Sequence, residues 1–139
     1  MVCFICGGDT QVTNSRHQKR PNQVWRRRAC VLCDTLFTTT EAIDYTKSLA
    51  VRSTKNHGLT PLSRDILLLS IHKSLGHRPT ALTDASGLCA TIIAKLASQA
   101  VDNIIETRAI AQTTLVALTR FDKLAAQHYQ AFHLASLNK

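Results

Sequence analysis

The sequence predicts an α+β protein in which short antiparallel strands come first and four helices with a small strand cap follow. Residues 1–40 contain several turn-forming residues but no helical spacing of apolar residues. After Pro61, apolar residues recur at helical spacing. We therefore place a first domain at residues 1–44 and a second domain at residues 45–136.

The composition limits the classes of protein to which the chain can belong. The chain has 139 residues, of which 45% are hydrophobic and 19% charged, enough apolar material for a globular core. No apolar run approaches the roughly 20 residues that span a bilayer, and the first residues lack the pattern of a signal peptide. We expect a cytoplasmic protein without a membrane partner. The net charge of +8 is typical of proteins with polyanionic partners.

Spacing and capping residues predict the four helices. Ser63 is the expected N-cap of the first, Thr83 or Asp84 of the second and Asp122 of the fourth, and the third begins near Thr107. Before them, residues 47–54 predict a short strand, and a turn leads to a second extended piece. The apolar residues that define the helices include Ile66, Leu67, Ile71, Leu75, Leu88, Ile92, Ile93, Leu96, Ile110, Leu118, Phe121, Leu124, Tyr129 and Phe132.

Four of the five cysteines form two CxxC pairs, Cys3 with Cys6 and Cys30 with Cys33. Two such pairs provide four thiolates for one tetrahedral zinc ion. Because protein ligands fill the whole coordination shell, we expect one structural Zn²⁺ per chain. A segment of about 40 residues needs such a staple, since it buries too little apolar surface alone.

Other interpretations of the cysteines are weaker. A redox CxxC of the thioredoxin type normally lies at the start of a helix within a parallel-sheet unit. The sequence around neither pair predicts such a unit. Cys89 lies among apolar residues of the second predicted helix, where a buried, inert thiol is expected.

Trp25 and three consecutive arginines stand shortly before the second cysteine pair, which begins at Cys30. Arginine pairs bidentately with phosphates and guanine edges, and threonine hydroxyls can donate to phosphates. Nucleic acid is therefore the expected partner, with a solvated basic hairpin as the alternative. Consecutive strand residues alternate faces, so only part of the run can touch one duplex. The candidate DNA-binding residues are Trp25, Arg26, Arg27, Arg28, Thr38 and Thr39.

The sequence has no GxSxG, Walker-type GxxxxGK, HExxH or Gly-rich dinucleotide motif. We find no candidate catalytic residues and expect a protein that is not an enzyme.

The segments CFIC at 3–6 and WRRRACVLCDTLFTTTE at 25–41 resemble the NrdR family of bacterial repressors of ribonucleotide reductase genes. The resemblance continues through PLSRD at 61–65, RPT at 78–80 and ALTRFDKLAAQHY at 117–129, and covers nearly the full chain. It implies a zinc ribbon that contacts promoter DNA, followed by an ATP-cone, a small helical nucleotide sensor with a strand cap. It also implies a homo-oligomer in which binding of ATP or dATP changes the number of subunits. The implied location is the bacterial cytoplasm, and the nucleoid when the protein is bound to DNA.

The family's nucleotide-binding residues are matched only loosely. The candidates are Val51, Arg52, Lys55 and Arg64, with ordinary surface charge as the alternative for the basic three. Ile66 replaces the family's lysine in the first long helix, which should weaken a triphosphate site. Two further hypotheses stay open. One is an oligomerising zinc-ribbon interaction module with a degenerate, nucleotide-free ATP-cone, and the other is a zinc-dependent component of a larger nucleotide-metabolising complex.

Overall fold

The computed structural model describes residues 1–19, 22–53 and 58–133. The chain divides into two compact units, Met1–Asp44 and Tyr45–Lys139. The first contains strands and the second mainly helices, which confirms the predicted α+β class. Within the described ranges, no helix combines the length and the apolar composition that crossing a bilayer requires.

The first unit is a three-stranded antiparallel sheet with β2 in its centre. Its strands are β1 (Thr10–Gln18), β2 (Gln23–Cys30) and β3 (Leu36–Ala42). The register of β1 against β2 shifts between Val12 and Asn14, the position of a bulge. Among the described residues of this unit, only Cys3 and Cys30 are buried. The sheet therefore has no apolar core of its own, and the cysteines occupy the place of one.

The second unit begins with a single-turn helix and has a small mixed sheet. These elements are α1 (Tyr45–Ser48), β4 (Ala50–Arg52), β5 (Leu59–Pro61) and β6 (Ile104–Glu106). The strand order is β5-β4-β6, with β4 antiparallel to β5 and parallel to β6.

The predicted strand over residues 47–54 is shorter in the structure because Lys47 belongs to α1. The predicted turn falls mostly on residues outside the described ranges. The sequence did not predict β6, whose three residues are too few to show alternation.

Four longer helices complete the described part of the second unit, as predicted. They are α2 (Arg64–Ser74), α3 (Ala81–Ala97), α4 (Thr107–Phe121) and α5 (Lys123–His133). Their buried side chains form one apolar core that includes Leu67, Ile71, Leu75, Ala85, Cys89, Ile92, Ile93, Leu96, Leu118, Ala125 and Tyr129.

Two of the predicted helix caps are confirmed. The Ser63 hydroxyl accepts a hydrogen bond from the Ile66 amide at 3.3 Å, at the start of α2. The Asp122 carboxylate accepts one from the Ala125 amide at 3.0 Å, at the start of α5. Both bonds satisfy amides that the first turn of a helix leaves without a partner.

The predicted cap of the second long helix is wrong. We expected Thr83 or Asp84, but α3 begins at Ala81, after Thr80. Asp84 lies in the first turn, where its carboxylate accepts a hydrogen bond from the Thr80 hydroxyl at 2.7 Å. The carboxylate thus bonds a side chain that precedes the helix.

Arg78 joins the start of α3 to the junction of α4 and α5. Its guanidinium lies 2.9 Å from Asp84 and 3.2 Å from Asp122, and 5.0 Å from the centre of the Phe121 ring. His77 lies 3.0 Å from the same Asp122 carboxylate. The two contacts with Asp122 connect residues that are more than 40 positions apart in the chain.

We expect Asp122→Asn to destabilise the helical unit at neutral pH but not in acid. The Ala125 amide, together with His77 and Arg78, lowers the pKa of Asp122 to about 2. Because this pKa lies below the ordinary value near 4, the ionised carboxylate stabilises the fold above about pH 4, and the effect disappears as the pH falls toward 2. Thermal unfolding followed by helical circular dichroism across this range measures the difference.

Asp102→Asn is the matched control. Asp102 is exposed in a loop with a left-handed backbone (φ 52°), which asparagine also adopts. This control should unfold like the wild type at every pH. A difference between Asp122→Asn and the wild type that stays constant down to the acid end would refute the pH dependence.

Candidate metal centre and nucleic-acid interface

The sulfur atoms of the two CxxC pairs converge within 4.8 Å of one another. The Sγ–Sγ distances include 3.7 Å between Cys3 and Cys33, 3.4 Å between Cys6 and Cys30, and 3.4 Å between Cys6 and Cys33. A tetrahedral zinc ion with Zn–S bonds of about 2.3 Å separates its ligands by roughly 3.8 Å. The four cysteines are therefore positioned to bind one zinc ion.

Tight turns hold the sulfurs in place. The Gly7 amide donates to the Cys3 carbonyl at 2.9 Å, and Gly7 has a φ of +73°, which favours glycine. The Ile5 amide lies 3.4 Å from the Cys3 sulfur, and the Leu32 amide lies 3.4 Å from the Cys30 sulfur. In each pair, an amide of the turn thus points at the sulfur of the first cysteine.

Hydrogen bonds give the exposed cysteines different pKa values. The hydroxyl and amide of Thr35 lower the pKa of Cys33 to about 6. The Gly8 amide lowers the pKa of Cys6, but the neighbouring thiols of Cys33 and Cys30 outweigh it and raise this pKa to about 12. Four thiolates at this spacing therefore need a cation between them. With four protein ligands the shell is closed, so the metal would stabilise structure and not catalyse a reaction.

Strand pairing divides the candidate DNA-binding residues between the two faces of the sheet, because cross-strand partners share a face. The Arg27 face, as we name it, contains Asn14, Arg16, Trp25, Arg27, Thr38 and Thr40. The Arg26 face contains Ser15, Arg26, Arg28, Thr39 and Glu41. The structure thus brings Trp25, Arg27 and Thr38 together and separates them from the other three candidates.

Both arginines of the Arg26 face bond to other residues of the sheet. Arg26 forms an ion pair with Glu41. The Nε atom of Arg28 donates to the Thr39 hydroxyl at 3.3 Å, and its Nη1 atom lies 3.5 Å from the Thr10 hydroxyl. These bonds link β2 to both edge strands.

The Arg27 face is more open. The Arg27 side chain is exposed and forms no ion pair with any described residue, while Trp25 is half-buried beside it on the same strand. The sequence indicated Arg16 only as a loop residue that could widen the basic patch. The structure places it in the strand β1, opposite Trp25.

The candidate nucleotide-binding residues are spread over the second unit. Val51 is half-buried in β4 and lines a cavity of about 320 Å³. Arg52 is exposed on the same strand, and Arg64 in α2 donates to the Ser86 hydroxyl of α3 at 3.3 Å. Neither arginine lines that cavity, and Lys55 lies outside the described residues.

Residues of β4, β5, α2, α4 and α5 line the cavity. Its described lining contains no Lys, Arg, Asp or Glu. Its one titratable base is His133, and burial lowers the pKa of that imidazole and favours its neutral form. Ile66 stands at the rim with 71% of its surface exposed. The position of the family's lysine is thus apolar and open to solvent.

Comparison with known proteins agrees with the ribbon geometry. The family described as "Transcriptional repressor NrdR-like, N-terminal domain" matches residues 1–41. The transcriptional repressor NrdR of Heliobacterium modesticaldum is 32% identical over 126 residues, which cover 90% of this chain and 81% of that protein. The repressor of the same name from Symbiobacterium thermophilum is 30% identical over 125 residues, 90% of this chain and 81% of its own. The chain belongs to the NrdR family of transcriptional repressors.

Membership confirms the family resemblance that the cysteine and arginine motifs indicated. Because the NrdR relatives are named transcriptional repressors, the role of the family is regulatory, as the lack of catalytic motifs predicted. The family match on residues 1–41 coincides with the unit that holds the four cysteines and the three-stranded sheet. This unit is a zinc ribbon of the NrdR type.

Proposed function

We propose that the protein is a zinc-dependent transcriptional repressor that binds double-stranded DNA through its ribbon. The observation that carries this proposal is the arginine-rich strand β2, which ends at the metal ligand Cys30. A zinc centre at the end of the strand fixes the backbone of the arginines, and guanidinium groups suit phosphates and guanine edges. The net charge of +8 adds long-range attraction to DNA.

The target we propose is the promoter of ribonucleotide reductase genes, in the bacterial cytoplasm, as the NrdR family implies. ATP or dATP would bind the helical unit and change the oligomeric state of the repressor. Such regulation requires a coupling free energy between the nucleotide site and assembly. Val51 would contact the nucleotide, and Arg52, Lys55 and Arg64 would provide positive charge for its phosphates.

Binding of the zinc-loaded protein to promoter DNA tests the proposal. We expect a clear preference for this DNA over a shuffled duplex of equal length at the same salt concentration. Arg27→Ala should weaken promoter binding about tenfold and leave the zinc content unchanged. Equal affinity for promoter and shuffled DNA would refute sequence-specific repression.

A second function is favoured by the cavity in the helical unit. Its uncharged lining and the exposed Ile66 at its rim are poorly suited to a triphosphate. Under this alternative, the helical unit only oligomerises, and the ribbon is an interaction module. The mass of the zinc-loaded oligomer in solution, measured without nucleotide, with ATP and with dATP, distinguishes the two functions. Only a nucleotide sensor should change its number of subunits when a nucleotide is added.

We expect Ile66→Lys to raise the affinity for ATP about tenfold. The new ammonium would stand at the cavity rim and could form a charge-assisted hydrogen bond with a phosphate, a bond of about 1.5–3 kcal/mol. Titration calorimetry of the wild type and the variant with ATP measures the change.

Leu69→Lys is the control for charge alone. Leu69 is also exposed on α2, at 58%, but it does not line the cavity. It should leave ATP affinity near the wild-type value. Equal gains in both variants would indicate unspecific attraction, and no gain in either would favour the nucleotide-free alternative.

A further inference from the structure

One face of the ribbon has a regular arrangement of basic, aromatic and hydroxyl side chains. On the Arg27 face, Arg16 pairs with Trp25, which pairs with Thr40 on the other side. Arg16 and Arg27 are diagonal neighbours on adjacent strands, a position that places their backbones about 7–8 Å apart. Both side chains are exposed. The face therefore presents two guanidinium groups, each adjacent to the same indole.

The two faces differ in their negative charge. On the Arg26 face, the carboxylate of Glu41 pairs with Arg26. The strand pairing brings no carboxylate onto the Arg27 face, and neither Arg16 nor Arg27 forms an ion pair with a described residue. DNA that approached the Arg26 face would meet Glu41 and compete with it for Arg26. DNA on the Arg27 face would meet cations that have no such competitor.

We infer that the protein contacts DNA through the Arg27 face, with Arg16 and Arg27 on phosphates and Trp25 packed beside them against the duplex. This inference rests on the proposed DNA-binding function and names the surface that performs it. The hydroxyls of Thr38 and Thr40 on the same face are further phosphate donors. Arg26 and Arg28 stay bonded within the sheet and do not contact DNA. Arg16 is thus a DNA-contact residue outside the arginine run.

The salt dependence of promoter binding tests this assignment. Affinity falls as the salt concentration rises, and each phosphate contact that a variant loses reduces the steepness of log affinity against log salt by about 1. We expect this loss, with affinity reduced up to about tenfold, for Arg16→Ala and for Arg27→Ala. Arg26→Ala and Arg28→Ala should keep the wild-type slope. Zinc content is measured for every variant, as a check on the fold of the ribbon.

A second variant covers the case in which Arg26→Ala disturbs the sheet. Glu41→Gln removes the ion pair and leaves Arg26 in place. If Arg26 faces away from DNA, this variant keeps the wild-type slope. A slope increased by about 1 would mean that the freed Arg26 reaches a phosphate, which would overturn the assignment.

Trp25 supplies an independent readout because it is the only tryptophan in the chain. Saturating promoter DNA should quench or shift its fluorescence. Unchanged emission at full binding, or slopes lowered by Arg26→Ala or Arg28→Ala and not by Arg16→Ala, would overturn the Arg27 face while DNA binding itself stands. A zinc-loaded wild type that binds no DNA would refute the proposed function together with the inference.

Discussion

Removal of zinc is expected to unfold Met1–Asp44 and to leave the helical unit folded. Among the described residues of the ribbon, only the metal ligands Cys3 and Cys30 are buried, whereas the helical unit has its own apolar core. Structural zinc sites in small domains contribute roughly 10–16 kcal/mol of apparent binding free energy, which is folding free energy. The described residues of the ribbon form no hydrophobic core that could replace this contribution.

Nuclear magnetic resonance of the full chain before and after chelation measures this effect. The amide signals of the ribbon should collapse to unfolded positions, while those of the helices and the helical circular dichroism persist. Promoter binding should be lost at the same time, because β2 no longer has a fixed backbone. Adding zinc back should restore both.

Cysteine variants separate the metal site from thiols in general. Cys30→Ser should abolish stoichiometric zinc binding and unfold the ribbon as chelation does. Cys89→Ala is the control, since Cys89 is buried in α3 and its sulfur lies 3.7 Å from the Arg64 carbonyl. It should keep one zinc per chain and destabilise the helical unit by about 1 kcal/mol. A zinc-free ribbon with dispersed amide signals would contradict the argument.

The features that the sequence predicted depend on residues close together in the chain. A CxxC pair sets two metal ligands within one turn, so its spacing indicates the zinc site directly. The same holds for the caps at Ser63 and Asp122, where a side chain bonds an amide three residues further on. Apolar spacing predicted the four long helices because one face of each is buried in the core.

The features that the sequence did not predict depend on contacts with residues outside the element itself. The start of α3 is fixed outside its first turn, by Thr80 and by Arg78, which also binds Asp122 beyond α4. The strand β6 exists because it pairs with β4, about 50 residues earlier. Neither set of contacts shows in the spacing of apolar residues, from which the helices were predicted.

The arginine run shows both cases. Alternation along a strand predicted that the three arginines would not share a face. The position of Glu41 in β3 decides which face is free of carboxylates. The register of β1 beyond its bulge decides whether Arg16 lies on that face. These are properties of the pairing of three strands, so the sequence alone indicated the kind of interface but not its surface.

Leu118→Ala is expected to destabilise the helical unit by about 3 kcal/mol. Leu118 lies in α4 with 0% of its surface exposed and belongs to the core formed by the long helices. Truncation removes three carbon atoms and leaves a cavity that rigid helices close only in part, which typically costs 2–5 kcal/mol. Urea unfolding followed by helical circular dichroism measures the loss as a lower midpoint with little change in slope.

Val116→Ala on the same helix is the control, because Val116 is 52% exposed and alanine is the better helix former. It should change the unfolding free energy by less than about 0.5 kcal/mol. Both variants should bind one zinc ion, since all four ligands lie in the ribbon. Similar losses in the two variants would mean that α4 does not bury the face with Leu118. Loss of zinc from Leu118→Ala would show that the ribbon depends on the helical unit for its fold, and the same variant therefore tests whether the two units fold independently.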